Sequence, residues 1–394
     1  MEARIGSDAK GDCIAVATTE KGPQLSVTTK AAQLLEGGLR ALAERTLAQM
    51  GVSDACLELA DAGSLDYVVT ARIEAAVRTA CPGEAKPIVP EVDRQATEAD
   101  RPRRSRLYAP GSNPRLLAGI DIHGADCVLL DLEDAVPIAE KAAARILVKH
   151  VLAAVPFSEE VWVRINALGT EGESDGEQDL REVLLSHPHG ICLPKVECAA
   201  DVTTLAERLD ALEAEYGLPS GSTMIMPILE TASGILHAEE IALADPRIVA
   251  MAFGAEDFTR DVGARRSWDA LLFARSRIVA ACAVAGIQAS DTVYADVSDE
   301  EGLAKEANLA RSLGFDGKGA INPRQLDAIH RAFSPSPEEI EQARTIVEAA
   351  VEAEERGLGA ISLNGKMIDK PVAERAKRLM KYAENLGKGG GADA

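Results

Sequence analysis

The feature that most constrains this chain is an alternation that begins at Arg103. Short apolar runs recur, and helical patterns fall between them. The runs are RSRLYAP (104–110), CVLLDLE (127–133), VWVRIN (161–166), GICLPKV (190–196), TMIMPILE (223–230), IVAMAFG (248–254), ASDTV (289–293) and KGAINP (318–323). Helical patterns span 139–155, 203–216, 268–285 and 301–313, and Gly286 and Gly314 stop the last two in the C′ position where glycine is favoured. Continuous apolar runs suit strands covered on both faces, and strands separated by helices pair in parallel. Eight such units predict an α/β fold, a closed (β/α)8 TIM barrel. An open doubly wound sheet is the alternative, but no GxGxxG follows the first strand, which weakens its dinucleotide-binding form.

Ahead of the barrel, PGEAKPIVPEVDRQATEADRPR (82–103) carries four prolines, mixed charge and no periodicity. That composition reads as an exposed linker. The chain thus divides into a small N-terminal unit (1–81), a linker (82–102), the barrel (103–334) and C-terminal helices with a lid (335–394). The N-terminal unit has β-type runs at 13–19 and 25–29, a helical stretch over 31–50 stopped by Gly51, and a further run at 55–60. DYVVTARIEAAVRTA (66–80) turns from strand-like to helix-like. Together these predict a small α+β module, a carrier or docking unit with little room for a substrate cavity. After the barrel, 335–358 reads as a helix rich in Glu and Ala, SLNGKMIDKP (362–371) as a Gly-containing turn, and 371–386 as a helix with Pro at its start. GKGGGADA reads as a flexible tail.

Charge narrows the partners. The chain of 394 residues has 42 basic and 63 acidic side chains, a formal charge of −21. A field of that sign repels nucleic acid and anionic membranes, and aromatics at 3% are too few for a base-stacking platform. No apolar run reaches the roughly 18 residues a membrane helix needs. The start, MEARIGSDAKGDC, lacks the apolar core of a secretion signal, which predicts a cytoplasmic protein. Seven scattered cysteines form neither a disulfide framework nor a CxxC zinc site. The six histidines make no i,i+4 metal pair, so a histidine general base is not expected.

In a (β/α)8 barrel the C-terminal strand ends face the active site. Here those ends hold Asp131, Glu133 and Asp134, then Arg164, Lys195 and Glu230, then Glu256 and Asp257. Buried charges must pair, meet water or bind a ligand. Carboxylates without a histidine cluster suit a hard cation, Mg2+ or Mn2+, with waters and substrate oxygens completing the shell. Arg164 could then fork onto a substrate carboxylate. Internal ion pairs are the competing explanation. The segment RPRRSRLYAPGSNPR (101–115) gathers five arginines. It reads either as a positive lip for a phosphate-bearing substrate such as coenzyme A or as a solvated charge run. For Arg101, Arg103 and Arg104 the solvated run is favoured; Arg106 and Arg115 bracket the first strand and its turn, and there substrate binding is favoured.

From Arg103 to about Leu386 the chain resembles the citrate lyase beta subunit, within the wider family of Mg2+-dependent acyl-CoA lyases that includes malyl-CoA and citramalyl-CoA lyases. The resemblance rests on RRSRLYAPGSNP, GADCVLLDLEDAV, VRIN, LPKVE, ILETASGI, AFGAEDFTRDVG, LLFARSRIV, GIQASDTVYAD, GFDGKGAINPRQ and SLNGKMID, in that order. It implies that Glu230 and Asp257 bind Mg2+ and that Arg164 contacts the keto-acid product and the developing oxyanion. It further implies that Asp369 acts as acid/base from a neighbouring subunit, and that Glu133 and Asp134 support the site from behind. The resemblance thus implies a ring-forming homo-oligomer, a trimer or a multiple of three.

Residues 1–81 are similar to the citrate lyase gamma subunit, an acyl carrier protein, through GSDAKGDCIAV and DYVVTARIEAAVRTA. That similarity implies a phosphopantetheine-type prosthetic group on a serine two residues before the motif aspartate. Counting back from Asp12, the position is occupied by Lys10, and Ser7 is the nearest serine. Lysine cannot form the phosphodiester.

The implied reaction is cleavage of a (3S)-citryl thioester, carrier-bound or on coenzyme A, to oxaloacetate and an acetyl thioester, with a separate alpha subunit needed for acyl transfer. The alternatives are a lyase for free citramalyl-CoA or malyl-CoA, and a non-catalytic assembly protein. Arg164, Glu230, Asp257 and Asp369 together argue against the last.

Overall fold

A computed structural model describes residues 1–19, 24–30, 36–52, 55–169, 174–355, 360–363 and 366–389. The N-terminal unit is a four-stranded sheet with two helices. Its strands are β1 (Glu2–Gly6), β2 (Cys13–Thr18), β3 (Gln24–Thr29) and β4 (Cys56–Asp61), in the order β1-β2-β4-β3. β1 escaped the sequence reading because EARIG is largely exposed and turns only Ala3 fully inward. The helix α1 (Glu36–Met50) is present; its expected start at 31–35 lies outside the described residues.

The helix α2 (Asp66–Ala80) explains the mixed signal of its segment. Val69, Ile73, Ala76, Val77 and Ala80 pack on the small sheet, while Val68, Ala71 and Ala75 pack against the barrel. A helix with apolar stripes on two faces is buried between two layers.

The alternation closes into the barrel. β5 (Ser105–Pro110), β6 (Cys127–Asp131), β7 (Glu160–Arg164), β8 (Gly190–Leu193), β9 (Met224–Leu229), β10 (Ala250–Phe253), β11 (Gln288–Asp291) and β12 (Gly317–Ala320) pair in parallel, and β12 returns to β5. The interior is filled by Leu129, Trp162, Cys192, Met226 and Ile228. Gly190 is required there, because any Cβ would overlap the Trp162 ring. No helix among the described residues is long and apolar enough to cross a membrane.

The segment 82–102 has no helix or strand and is mostly exposed, as expected of a linker, but it is held to the barrel. Arg94 donates to the carbonyls of Ser186, His187 and Leu152 at 2.8, 2.7 and 2.6 Å, and Ile88 is buried. The basic run at 101–104 is neither lip nor solvated: Arg103 holds Glu160 at 2.6 Å, and Arg104 holds Asp126 at 2.7 Å, at the N-terminal end of the barrel. The C-terminal helices are Pro337–Glu355 and Lys370–Gly389, joined through a hairpin of β13 (Ile361–Leu363) and β14 (Lys366–Ile368). The hairpin stands where a turn was expected; residues 356–359, 364–365 and 390–394 lie outside the described residues.

A buried charge cluster joins the N-terminal unit to the barrel helix Lys141–Ala154. Glu74 on α2 accepts from Lys149 at 2.7 Å, and its other oxygen meets His150 Nε2 at 2.6 Å. Arg78 and Lys149 both donate to Glu182, at 2.8 and 2.7 Å. Burial pushes the Glu74 carboxyl up, but His150 and Lys149 overcome it and hold it down at about 2. Glu74→Gln leaves buried cations short of a counter-charge and is expected to cost about 3–5 kcal/mol. Because the folded value is depressed from 4.5, this contribution is present above that pH and is lost as pH falls toward 2. Thermal melts and proteolysis of the 82–102 segment check it; an unchanged melting temperature for the variant contradicts it.

Candidate active site

The charged strand ends converge on a cavity of about 370 Å3 at the C-terminal face of the barrel. Parallel register places Asp131 of β6 directly beside Arg164 of β7. Arg164 grips it through Nε and Nη2, both at 2.7 Å, and its Nη1 lies 2.9 Å from Glu133. Burial works against the charge on Arg164, yet Asp131 and Glu133 raise its pKa well above the ordinary value. A guanidinium has five N–H donors; these contacts occupy three and leave two for the cavity. Lys195 pairs with Glu133 and lies 3.5 Å from Asp134.

Glu230 follows β9 and is almost wholly buried. The backbone N–H of Lys195 donates to its Oε1 at 2.8 Å, from a residue in the left-handed region at φ 55°. Such a conformation in a non-glycine residue is held by its surroundings and tends to mark functional sites. Burial, then the neighbouring charges of Asp257 and Glu133, push the Glu230 carboxyl up to about 8. Asp257 lies in the first turn of the helix Ala255–Val262, where Arg260 meets it at 2.5 Å. Burial also raises Glu133, even though Arg164 pulls the other way.

Repulsion among carboxyls at a cavity is relieved by a cation. Among the described residues no cluster of three or more His, Cys, Asp or Glu forms a ready metal cage. The donor set nevertheless fits Mg2+, which binds through one or two carboxylates and keeps water and substrate oxygens. Glu230 and Asp257, which line the same cavity, could hold it. Gly254 supports this arrangement, since a Cβ there would lie 2.6 Å from Glu230 Cβ.

The other expected site residues separate. Glu256 and Asp134 line only the exposed mouth of the cavity, and Glu256 pairs with Arg266 at 3.1 Å. Arg106 is not on a lip; its side chain is inside the barrel and lines the cavity with Tyr108. Arg115 is exposed in the short helix Pro114–Leu117, in the loop that follows β5. The turn carrying Ser7 and Lys10 lies against that loop: Arg72 donates to the Ser112 carbonyl at 3.4 Å, and a Cβ on Gly11 would stand 3.5 Å from Arg115 Cγ. Ser7 Oγ donates to Asp12 at 2.9 Å, and both Ser7 and Lys10 are exposed. Asp369 caps the helix Lys370–Gly389 by accepting from Val372 N at 3.2 Å. It is absent from the cavity lining, and the same helix meets Asp100 through Lys381 at 3.1 Å.

Sequence reasoning missed Tyr108, whose ring lies between the guanidinium carbons of Arg106 and Arg164 at 5.3 and 5.5 Å. It also missed Gly254, visible only once Glu230 is placed beside it. A larger groove of about 1090 Å3 lies at the opposite end of the barrel, between residues 91–104 and the C-terminal helix. It lacks the converging carboxylates, and barrel enzymes work at the other face.

The model of the HpcH/HpaI aldolase/citrate lyase family matches residues 104–323. The chain belongs to that family. It is a lyase. A second model, described as malonate decarboxylase delta subunit (MdcD), an acyl-carrier type, matches residues 1–80. The citrate lyase subunit beta of Haemophilus influenzae is 44% identical over 286 residues, covering 72% of this chain and 97% of that protein. The L-malyl-CoA/beta-methylmalyl-CoA lyase of Cereibacter sphaeroides is 34% identical over 306 residues, covering 73% of this chain and 96% of its own length. A crystal structure of Mycobacterium tuberculosis CitE in complex with magnesium, acetoacetate and coenzyme A superposes with a TM-score of 0.59 at 32% identity, over 73% of this chain and all of that one.

Gly254→Ala is expected to displace the Glu230 carboxylate and lower lyase turnover about 100-fold, the scale of an ångström-sized misplacement. Circular dichroism should stay unchanged. Turnover equal to that of the unaltered protein contradicts the packing.

Proposed function

We propose that this lyase cleaves a (3S)-citryl thioester to oxaloacetate and an acetyl thioester, with Mg2+ held by Glu230 and Asp257. The observation that carries this is the crowding of those carboxyls beside Arg164 in one cavity at the strand ends. When bound, the ion would polarise the substrate hydroxyl and its adjacent carboxylate. Arg164, oriented by Asp131 and Glu133, would direct its two remaining N–H groups at the oxygen that becomes the ketone. Carbon–carbon cleavage leaves a thioester enolate, which needs a proton from a positioned acid. Asp369 of a neighbouring subunit would give it. Ile228, Phe253 and Val293 wall the cavity and keep water from the enolate.

In this reading residues 1–81 are a carrier-derived unit, 82–102 a strap, 103–334 the lyase barrel and 335–394 the extension that brings Asp369 to another subunit. The enzyme would be a cytoplasmic homotrimer or a multiple of three, working with a separate alpha subunit. Arg115 at the rim would meet the phosphates of a coenzyme A thioester. Lys10 in the serine position and the buried seam around Glu74 favour a carrier unit that takes no phosphopantetheine-type group and does not swing. The same two observations favour the second reading, a lyase for free citramalyl-CoA or malyl-CoA.

Chelation with EDTA is expected to abolish cleavage and added Mg2+ to restore it; full activity in metal-free buffer contradicts the assignment. Subunit mixing reads the assembly. Asp369→Asn and Glu230→Gln should each be nearly inactive alone, yet regain part of the activity when co-assembled, because some interfaces then combine both intact groups. Mixtures as inactive as their parents contradict a shared site.

A further inference from the structure

Arg106 is the exception among the buried cations. Every other buried arginine or lysine of the described residues holds a carboxylate, as Arg103 holds Glu160 at 2.6 Å, Lys149 holds Glu74 at 2.7 Å and Arg275 holds Asp291 at 2.8 Å. Arg106 is 3% exposed and pairs with none among the described residues. Its Nη1 donates to Ser290 Oγ at 2.9 Å and lies 3.2 Å from Met226 Sδ. Tyr108 covers it at 5.3 Å, and its Nε–H is buried without any hydrogen-bond partner. All of these neighbours are neutral. An isolated buried charge is costly, and an unsatisfied buried donor that lines a cavity calls for a ligand.

The place of Arg106 selects the ligand. It is the second residue of β5, two positions deeper along the inward face than Tyr108 and four deeper than Pro110, which also lines the cavity. The bulky nucleotide end of a coenzyme A thioester must stay at the mouth, so Arg106 faces the acyl group. We propose that Arg106 is the specificity-determining residue that pairs with a second, free carboxylate of the acyl group. This rests on the lyase reading above and names its substrate class. In a citryl thioester one carboxylate adjoins the hydroxyl and a second sits one methylene away. A citramalyl thioester has a methyl group in place of that carboxymethyl arm, and a malyl thioester a hydrogen. A planar guanidinium with free donors matches the second carboxylate, and a neutral substituent leaves the charge without a partner. Arg106 therefore favours the dicarboxylic keto acid, oxaloacetate, over pyruvate or glyoxylate.

The test is equilibrium binding of oxaloacetate and of pyruvate to the full-length protein in Mg2+ buffer, for the unaltered chain, Arg106→Met and Arg106→Lys. The unaltered chain should bind oxaloacetate more tightly than pyruvate. Arg106→Met should weaken oxaloacetate about 100-fold, the scale for truncating one member of a buried charge pair, with a much smaller change for pyruvate. Arg106→Lys should recover part of the preference. Removing an unpaired buried charge should also raise the melting temperature of Arg106→Met, which keeps the test clear of a folding failure. An oxaloacetate-to-pyruvate ratio that is near one in the unaltered chain, or unmoved by Arg106→Met, overturns the proposal. Turnover of citryl-CoA by the unaltered chain reads the lyase proposal separately, so failure of one is distinguishable from failure of the other.

Discussion

Like charge confined at one buried mouth is the constraint from which the rest of the site follows. Glu133, Glu230 and Asp257 approach one another at the ends of β6, β9 and β10, and the carboxyl of Glu230 is pushed up to about 8 by burial and its neighbours. Arg164 pulls the Glu230 carboxyl back only in part, because its guanidinium is paired with Asp131 and Glu133. Its pairing with Asp131 follows from register: Asp131 and Arg164 are partner residues of adjacent parallel strands. An arginine held in place by two carboxylates is poised to stabilise charge that appears during reaction, without having to reorganise. The remaining negative charge is left to be met by a divalent ion.

The fold places the N-terminal unit beside this mouth. Contact through α2 is not a loose tether, since its barrel-facing stripe and the Glu74, Lys149 and Glu182 cluster are buried together. A carrier that delivers an acyl group must leave and return, whereas buried charged pairs resist separation. The 7–12 turn, which would bear a prosthetic group in a working carrier, lies against the loop after β5. In this chain that turn packs on the loop that leads to Arg115.

The barrel was legible because most of its strands are apolar runs and two of the helices between them end at a glycine; Trp268–Ala285, ended by Gly286, falls where the pattern placed it, whereas β11 and β12 carry little apolar signal. The carboxylates were legible because charge at the end of an apolar run has few structural uses. What stayed hidden depends on distance in the chain. Arg103 looked solvated because Glu160, its partner, is 57 residues away. The 82–102 segment looked free because Arg94 binds backbone carbonyls, which leave no trace in side-chain composition. Arg106 was read as a lip residue because it borders the strand; on β5 it is instead the inward parity, shared with Tyr108, that decides its place. Asp369 came only from the resemblance; in the chain itself it caps the helix Lys370–Gly389 and does not line the cavity.

The most direct measurement is a competition. The purified chain, in Mg2+ buffer and without any alpha subunit, is given equal amounts of citryl-CoA, citramalyl-CoA and malyl-CoA, and the products are followed together by NMR. The expected result is oxaloacetate and acetyl-CoA appearing first, with pyruvate and glyoxylate trailing. Pyruvate or glyoxylate forming ahead of oxaloacetate, or no keto acid at all, contradicts the account.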